Sequence, residues 1–201
     1  MRIDQAMRRR ILQAMADAID REAEALSALD AAAGDGDHGH NMRRGFQAVL
    51  AKADSIAGKP LGEAAQELGR TLVMTVGGAS GAIFGTAFLA AGKMLPDQPA
   101  REDAAAALQA AADAVQARGK AQPGHKTMLD VLLPVAAALR AGEGDIAAAA
   151  ARAAEATAQM QAVRGRAAFL GARSLGHVDA GARSAAIILA TICTALQEPS
   201  A

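Results

Sequence analysis

Between positions 29 and 42 the chain sets Asp30, Asp35 and Asp37 among Gly34, Gly36 and Gly39, three carboxylates and three glycines within ten positions. Carboxylates this close repel one another; at an effective dielectric of about 20, two unit charges 4 Å apart cost roughly 4 kcal/mol. A hard divalent cation reverses that sign, so the pattern reads as a magnesium site in an acidic turn that leads into a helix near His38 to Asn41. The plain alternative is a solvated Asp-Gly turn with a helix cap. Two look-alikes fail. Gly34-x-Gly36-x-x-Gly39 matches the dinucleotide fingerprint by letter, but that loop must follow a strand, and residues 4 to 29 repeat apolar side chains at helical spacing. An EF-hand loop counted from Asp35 needs Asp or Asn at 39 and Glu at 46, where the chain has Gly39 and Phe46.

Three further segments carry chemistry. Val76-Gly77-Gly78-Ala79-Ser80-Gly81 joins two helical patterns, and its small residues let a phosphate approach the backbone and a helix N-terminus; a bare helix corner uses similar glycines. The Gly-Lys-Ser/Thr of a P-loop is missing. Gly119-Lys120-Ala121-Gln122-Pro123-Gly124-His125-Lys126-Thr127 offers two cations in a connection that a solvated turn explains equally well. A long glycine-punctuated join runs from Arg164-Gly165-Arg166 to Gly176-His177-Val178-Asp179-Ala180-Gly181. There Arg166 could grip phosphate as a planar fork, and Asp179 could cap the last helix or face a nucleotide. His38 and His177 are candidates for a general base, with a plain hydrogen-bonding role as the alternative.

These segments need elements to hold them. Of the 201 residues, 52% are hydrophobic, mostly Ala, while only four are Phe and none is Trp or Tyr, so helix formers abound and strand formers are scarce. An all-helical single domain over residues 1–201 is expected, long enough to bury roughly 70% of its unfolded surface. With 21 acidic and 21 basic residues the net charge is zero, which argues against nucleic acid and anionic membranes. The lone Cys193 excludes an internal disulfide. Met1-Arg2-Ile3-Asp4 opens no apolar signal region, and no uninterrupted apolar stretch reaches the roughly 18 residues that span a bilayer, so a cytoplasmic protein is expected.

Ile3, Met7, Ile11, Met15 and Ile19 recur every four positions and start a first helix that runs to about residue 29. Punctuation then predicts seven more, over roughly 38–53, 60–76, 80–93, 101–117, 127–141, 146–161 and 181–197. Thr127-x-x-Asp130 resembles a capping box, and Asp145 can cap the helix before Ile146. In an antiparallel bundle of eight helices, alternate connections fall at the same end. Those at 30–37, 77–79, 118–126 and 162–180 follow helices one, three, five and seven, so all four motifs share one rim.

Taken together, Asp30-x4-Gly34-Asp35-x-Asp37-His38-Gly39-x-Asn41-Met42, Gly77-Gly78-Ala79-Ser80-Gly81, Pro123-Gly124-x-Lys126-Thr127-Met128-x-Asp130 and Gly165-Arg166-Ala167…Gly176-His177-x-Asp179 resemble the L-subunit family of phosphotransferase-dependent dihydroxyacetone kinases. The resemblance covers nearly the whole chain. It implies a closed barrel of eight antiparallel helices holding ADP, transiently ATP, and two Mg²⁺ at one rim. By position Asp30, Asp35 and Asp37 are the implied metal ligands. His38, Gly39, His40 and Asn41 are implied to line the nucleotide, with Gly78, Ala79 and Ser80 at its phosphates. Gly119 and Met128 flank it, and Arg166 with Asp179, Ala180 and Gly181 completes the pocket. Charge counting agrees with two metals: three carboxylates and ADP total about −6, which two Mg²⁺ reduce to about −2.

The resemblance further implies a kinase subunit that supplies positioning and charge neutralisation rather than a nucleophile. Its partners would be a dihydroxyacetone-binding K subunit and a phosphohistidine-bearing M subunit, and a homodimer remains open. The chain departs from the family's usual pattern at Ala180 for Pro, at His125 for Asp, and at Ala168, Phe169 and Ala172 for Ser, Tyr and Glu. Alternative functions are the nucleotide subunit of a kinase for another small ketose or a fatty acid, and a nucleotide-dependent regulatory protein that docks on a transcription factor.

Overall fold

The computed structural model describes residues 3–32 and 34–197, apart from the side chain of Arg166. Its helices are α1 (Gln5–Ala31), α2 (His38–Leu50), α3 (Ala53–Ala57), α4 (Leu61–Thr75), α5 (Gly78–Gly92), α6 (Arg101–Gly119), α7 (Leu129–Arg140), α8 (Ile146–Ala156) and α9 (Ala180–Gln197). Short 3₁₀ turns cover Thr157–Gln159 and Arg166–Ser174, and there is no strand among the described residues. The fold is all-helical, as the composition predicts.

Local sequence explains the helix ends. Asp4 accepts the Met7 N–H at 2.9 Å to open α1, and Asp145 accepts that of Ala148 at 2.8 Å to open α8. At α7 only half of the expected capping box forms. Asp130 Oδ2 accepts the Thr127 N–H at 2.8 Å, but the Thr127 hydroxyl accepts from Leu129, at 3.2 Å, and the helix starts at Leu129 rather than 127. The single helix expected over 38–53 is broken after Leu50. The chain turns there so that α3 can bury Ile56 and Ala57, and Ala57 O accepts from Arg8 Nε at 2.8 Å. Similarly α8 stops at Ala156, five residues short of the expected end, where buried Thr157 turns its hydroxyl back onto Ala154 O.

The eight long helices pack in chain order, and α9 packs back on α1, so their neighbour contacts close a ring. One hydrophobic cluster draws on all of them, from Leu12 and Ile19 on α1 through Phe46, Leu72, Phe84, Val115, Val135 and Ala150 to Ile188 on α9. Inside the ring lies an apolar cavity of about 310 Å³, bounded at one end by Phe84 and Met128. α9 is long and apolar enough to cross a membrane by length and composition, a match the count of uninterrupted apolar residues did not anticipate. It packs on α1, α7 and α8, as a core helix does.

Glycines set the closest approaches in this ring. A Cβ on Gly39 would stand 1.8 Å from Ala23 O, so α2 lies directly on the α1 backbone. That contact fixes how the last turn of α1 presents Asp30 to the start of α2. Gly39→Ala is therefore expected to overpack this seam and cost about 3 kcal/mol, lowering Tm by roughly 6–12 °C. Thermal unfolding followed by circular dichroism measures it, and an unchanged Tm would show that the two helices have room to separate.

Candidate functional site

Residues from the connections after α1, α4, α6 and α8 line a single cleft of about 320 Å³. One wall carries Asp30, in the last turn of α1, and Asp35 and Asp37 in the following turn, where Gly36 takes φ +76°. One carboxylate oxygen from each of the three lies within 4.8 Å of the others, with Asp30 half-buried and Asp35 and Asp37 exposed. In octahedral Mg²⁺ coordination, ligand oxygens are separated by about 3–4 Å. The three hard oxygen donors therefore fit magnesium with small adjustments, and the cluster contains no soft donor that would favour another metal.

Facing this wall is the start of α5. Gly77 precedes the helix and Gly78 takes φ +66°, which turns the chain so that the leading N–H groups of α5, without intrahelical partners, border the cleft. A helix start with glycines in place of side chains suits an anion. Next to it His38 is buried, its Nδ1 2.9 Å from Ser80 Oγ and its Nε2 2.7 Å from Ser184 Oγ. Ser184 donates its one hydrogen to Ala180 O at 3.0 Å, so toward His38 it can only accept. Nε2 consequently carries the ring proton, and Nδ1 accepts from the Ser80 hydroxyl. Burial holds His38 below its ordinary pKa, opposed by Asp30 and Asp37, so the ring is neutral at pH 7. A neutral histidine with both nitrogens engaged orients Ser80 and the start of α9; it is not poised as a general base.

The far side is built by the 119–128 connection and by a strap over residues 157–179. Gly119 ends α6 and Met128, 4% exposed, stands between the cleft and the apolar cavity. Asp130, also buried, folds this connection by accepting the N–H groups of Gly124 and Thr127. Lys126 is buried too, and not solvated as a surface turn would leave it: its Nζ donates to Thr157 O, Met160 O and His177 O. Asp179 does cap the last helix, accepting the Ala182 N–H at 2.7 Å, while also bordering the cleft with Ala180 and Gly181.

Not every residue named from sequence stands in the cleft. His38, Gly78, Ala79, Ser80, Gly119, Met128, Asp179, Ala180, Gly181 and the three aspartates line it. Gly39 instead packs on α1, and Asn41 is buried against Gly77 and accepts from Arg44 Nη2 at 2.9 Å. His40 is exposed beside Glu24 and Arg43. His177 contributes its carbonyl rather than its ring. The side chain of Arg166 lies outside the described residues. Ser184 and Lys126 are the positions whose part was hidden: their partners lie 146 residues away for Ser184 and at least 31 for Lys126, and nothing local in sequence marks them.

Asp179 has its pKa raised from 3.8 to about 6, chiefly by burial, against the pull of the Ala182 N–H and Lys126. The unfolded chain therefore releases this proton first, and between pH 4 and about 6 the folded state binds more protons than the unfolded one. Asp179 thus removes stability as pH rises through that window, by at most about 3 kcal/mol. Asp179→Asn keeps the cap and abolishes this slope, so its stability relative to the parent should grow from pH 4 to 7 and then level off. Urea unfolding across that range measures the difference, and a difference independent of pH would show that Asp179 titrates normally.

A family model described as the DAK2 domain matches residues 32–194. The ADP-binding subunit DhaL of PEP-dependent dihydroxyacetone kinase from Escherichia coli (strain K12) is 40% identical over 194 residues, covering 90% of this chain and 92% of that protein. L-erythrulose 1-kinase of Mycolicibacterium smegmatis is also 40% identical, over 182 residues, but the match spans only 32% of that longer protein. Among solved structures, the dihydroxyacetone kinase from C. freundii in complex with AMP-PNP and Mg2+ superposes with a TM-score of 0.77 at 25% identity, over 98% of this chain and 35% of that one.

Proposed function

The chain belongs to the DAK2-domain family, and on that premise we propose that it is the ADP-binding subunit of a PEP-dependent dihydroxyacetone kinase. In this reading the chain holds ADP with two Mg²⁺ as a coenzyme. Through it a phosphoryl group passes from a phosphohistidine-bearing partner to dihydroxyacetone on a substrate-bearing subunit. The observation that carries the reading is the three-aspartate cluster facing the bare start of α5 across one cleft.

The cleft's own residues divide the work. Asp30, Asp35 and Asp37 would hold the metal, and the leading N–H groups of α5 would take phosphate oxygens. Bound Mg²⁺ would neutralise phosphate charge and keep the reacting oxygens in line. Lys126, the one lysine among the described residues of the cleft, has spent its three N–H bonds on backbone carbonyls, which leaves phosphate neutralisation to the metals and to Arg164, whose Nε alone is taken, by Lys120 O. Ile83, Val115 and Met128 offer apolar surface for a base.

Acceptor chemistry must come from elsewhere. Every histidine or lysine that lines the cleft is already engaged, His38 by two serines and Lys126 by three carbonyls, so none is available to hold a ketone. Phe169, 91% exposed on the strap beside the cleft, offers apolar surface where a substrate-bearing subunit would approach. Close similarity to a stand-alone ADP-binding subunit over nearly its full length favours this assignment over the longer erythrulose kinases.

Mixing the chain with K and M subunits, phosphoenolpyruvate and the general phosphotransferase proteins should yield dihydroxyacetone phosphate, and omission of any component should abolish it. Product formed without the K subunit would overturn the subunit assignment. Activity with ATP but never with phosphoenolpyruvate would move the chain to the ATP-dependent branch of the family, and erythrulose as the preferred acceptor would redirect the substrate.

A further inference from the structure

A lysine almost wholly buried, with no carboxylate in hydrogen-bonding range among the described residues, calls for an explanation. Lys126 is 1% exposed and sits at φ +61°, a left-handed conformation that residues other than glycine rarely adopt. Its ammonium donates to Thr157 O at 2.8 Å, Met160 O at 3.2 Å and His177 O at 2.5 Å. A lysine has three N–H donors, and all three are spent. The acceptors stand at the two ends of the strap, Thr157 and Met160 where it leaves α8 and His177 where it returns to α9. Two lesser ties join the strap to the same connection: Val163 N–H to His125 O at 3.3 Å and Arg164 Nε to Lys120 O at 2.8 Å.

We propose that Lys126 is a positioning residue of the cleft, an internal cation that clamps both ends of the 160–177 strap and thereby sets the Asp179 edge against which the nucleotide binds. The inference rests on the nucleotide reading above. Thr157 carries the effect, because its carbonyl takes the lysine while its hydroxyl takes the Asp179 N–H at 3.0 Å. Asp179 in turn accepts the Ala182 N–H and fixes the first turn of α9, where Ala180 and Gly181 border the cleft. Asp179 also favours the charged form of Lys126, against the burial that lowers its pKa. Lys126 therefore acts without touching phosphate.

The test compares the full chain with Lys126→Met, at a temperature where both are folded by circular dichroism. In the variant, amide hydrogen exchange over 161–177 should accelerate by about tenfold or more while α1 to α6 keep their protection. The dissociation constant for Mg·ADP, measured by calorimetry, should rise by about tenfold. Lys126→Cys in a Cys193→Ala background, aminoethylated while unfolded and then refolded, restores an ammonium at the same reach and should recover both. Unchanged exchange in the strap would overturn the clamp, and a loosened strap with unchanged affinity would reduce Lys126 to scaffold. Should Lys126→Met fail to fold, nitrogen-15 NMR of the parent decides: slow solvent exchange of the Lys126 Nζ protons supports the clamp, and exchange as fast as a surface lysine's overturns it. Should the parent itself bind no Mg·ADP, the nucleotide reading falls while hydrogen exchange still judges the clamp.

Discussion

Everything around the cleft depends on one electrostatic constraint: three carboxylates held with an oxygen from each within 4.8 Å of the others. Left alone they repel, and a chain free to move would spread them. The structure denies that freedom. Asp30 is anchored in the last turn of α1 and accepts the His38 N–H at 3.3 Å, and Gly39 locks α2 onto α1 immediately afterwards. A divalent cation bound there would turn that repulsion into attraction, so in the proposed reading the backbone sets the three ligands close together in advance.

The opposite wall answers the same constraint from the anionic side. Phosphates placed against three aspartates need positive charge, and the cleft's lysine is fully engaged elsewhere. Among the described residues, what remains there is the N-terminal end of α5, the Arg164 guanidinium and any metal the aspartates would hold. The helix ring serves this arrangement by bringing every second connection to one end, and the neutral His38 ties three of these pieces together, joining Ser80 at the start of α5 to Ser184 and Ala180 on α9. Similar sequence occurs both in a separate subunit and within a longer kinase, which fits the proposed module that would present a nucleotide and leave acceptor choice to another surface.

Much of this was legible in the sequence because the chemistry is local. The three aspartates lie within eight positions, the glycines of 77–81 sit where one helical period stops and another starts, and the parity of the connections then gathers them. What escaped is what depends on distant contacts. The pattern could not tell that Gly39 serves helix packing or that His40 points to Glu24, since both follow from how α2 rests on α1. Nor could it see the break after Leu50, which exists to bury Ile56, or the burial of Lys126, whose carbonyl partners come from 31, 34 and 51 residues downstream. Asp179 left two readings open, capping the last helix or facing a nucleotide; it does cap α9, and it also borders the cleft.

If Asp30, Asp35 and Asp37 hold the metal, nucleotide binding is obligatorily metal-dependent. Calorimetric titration of ADP into the nucleotide-stripped chain, with Mg²⁺ and with a chelator, tests it most directly when repeated on Asp37→Ala. The parent should bind ADP at least about a hundredfold more tightly with Mg²⁺, a gap of about 2.7 kcal/mol, and Asp37→Ala should lose most of that gap while keeping its helical content. Equal ADP affinity of the folded parent with and without Mg²⁺, or an Asp37→Ala variant with the full metal dependence, would contradict it.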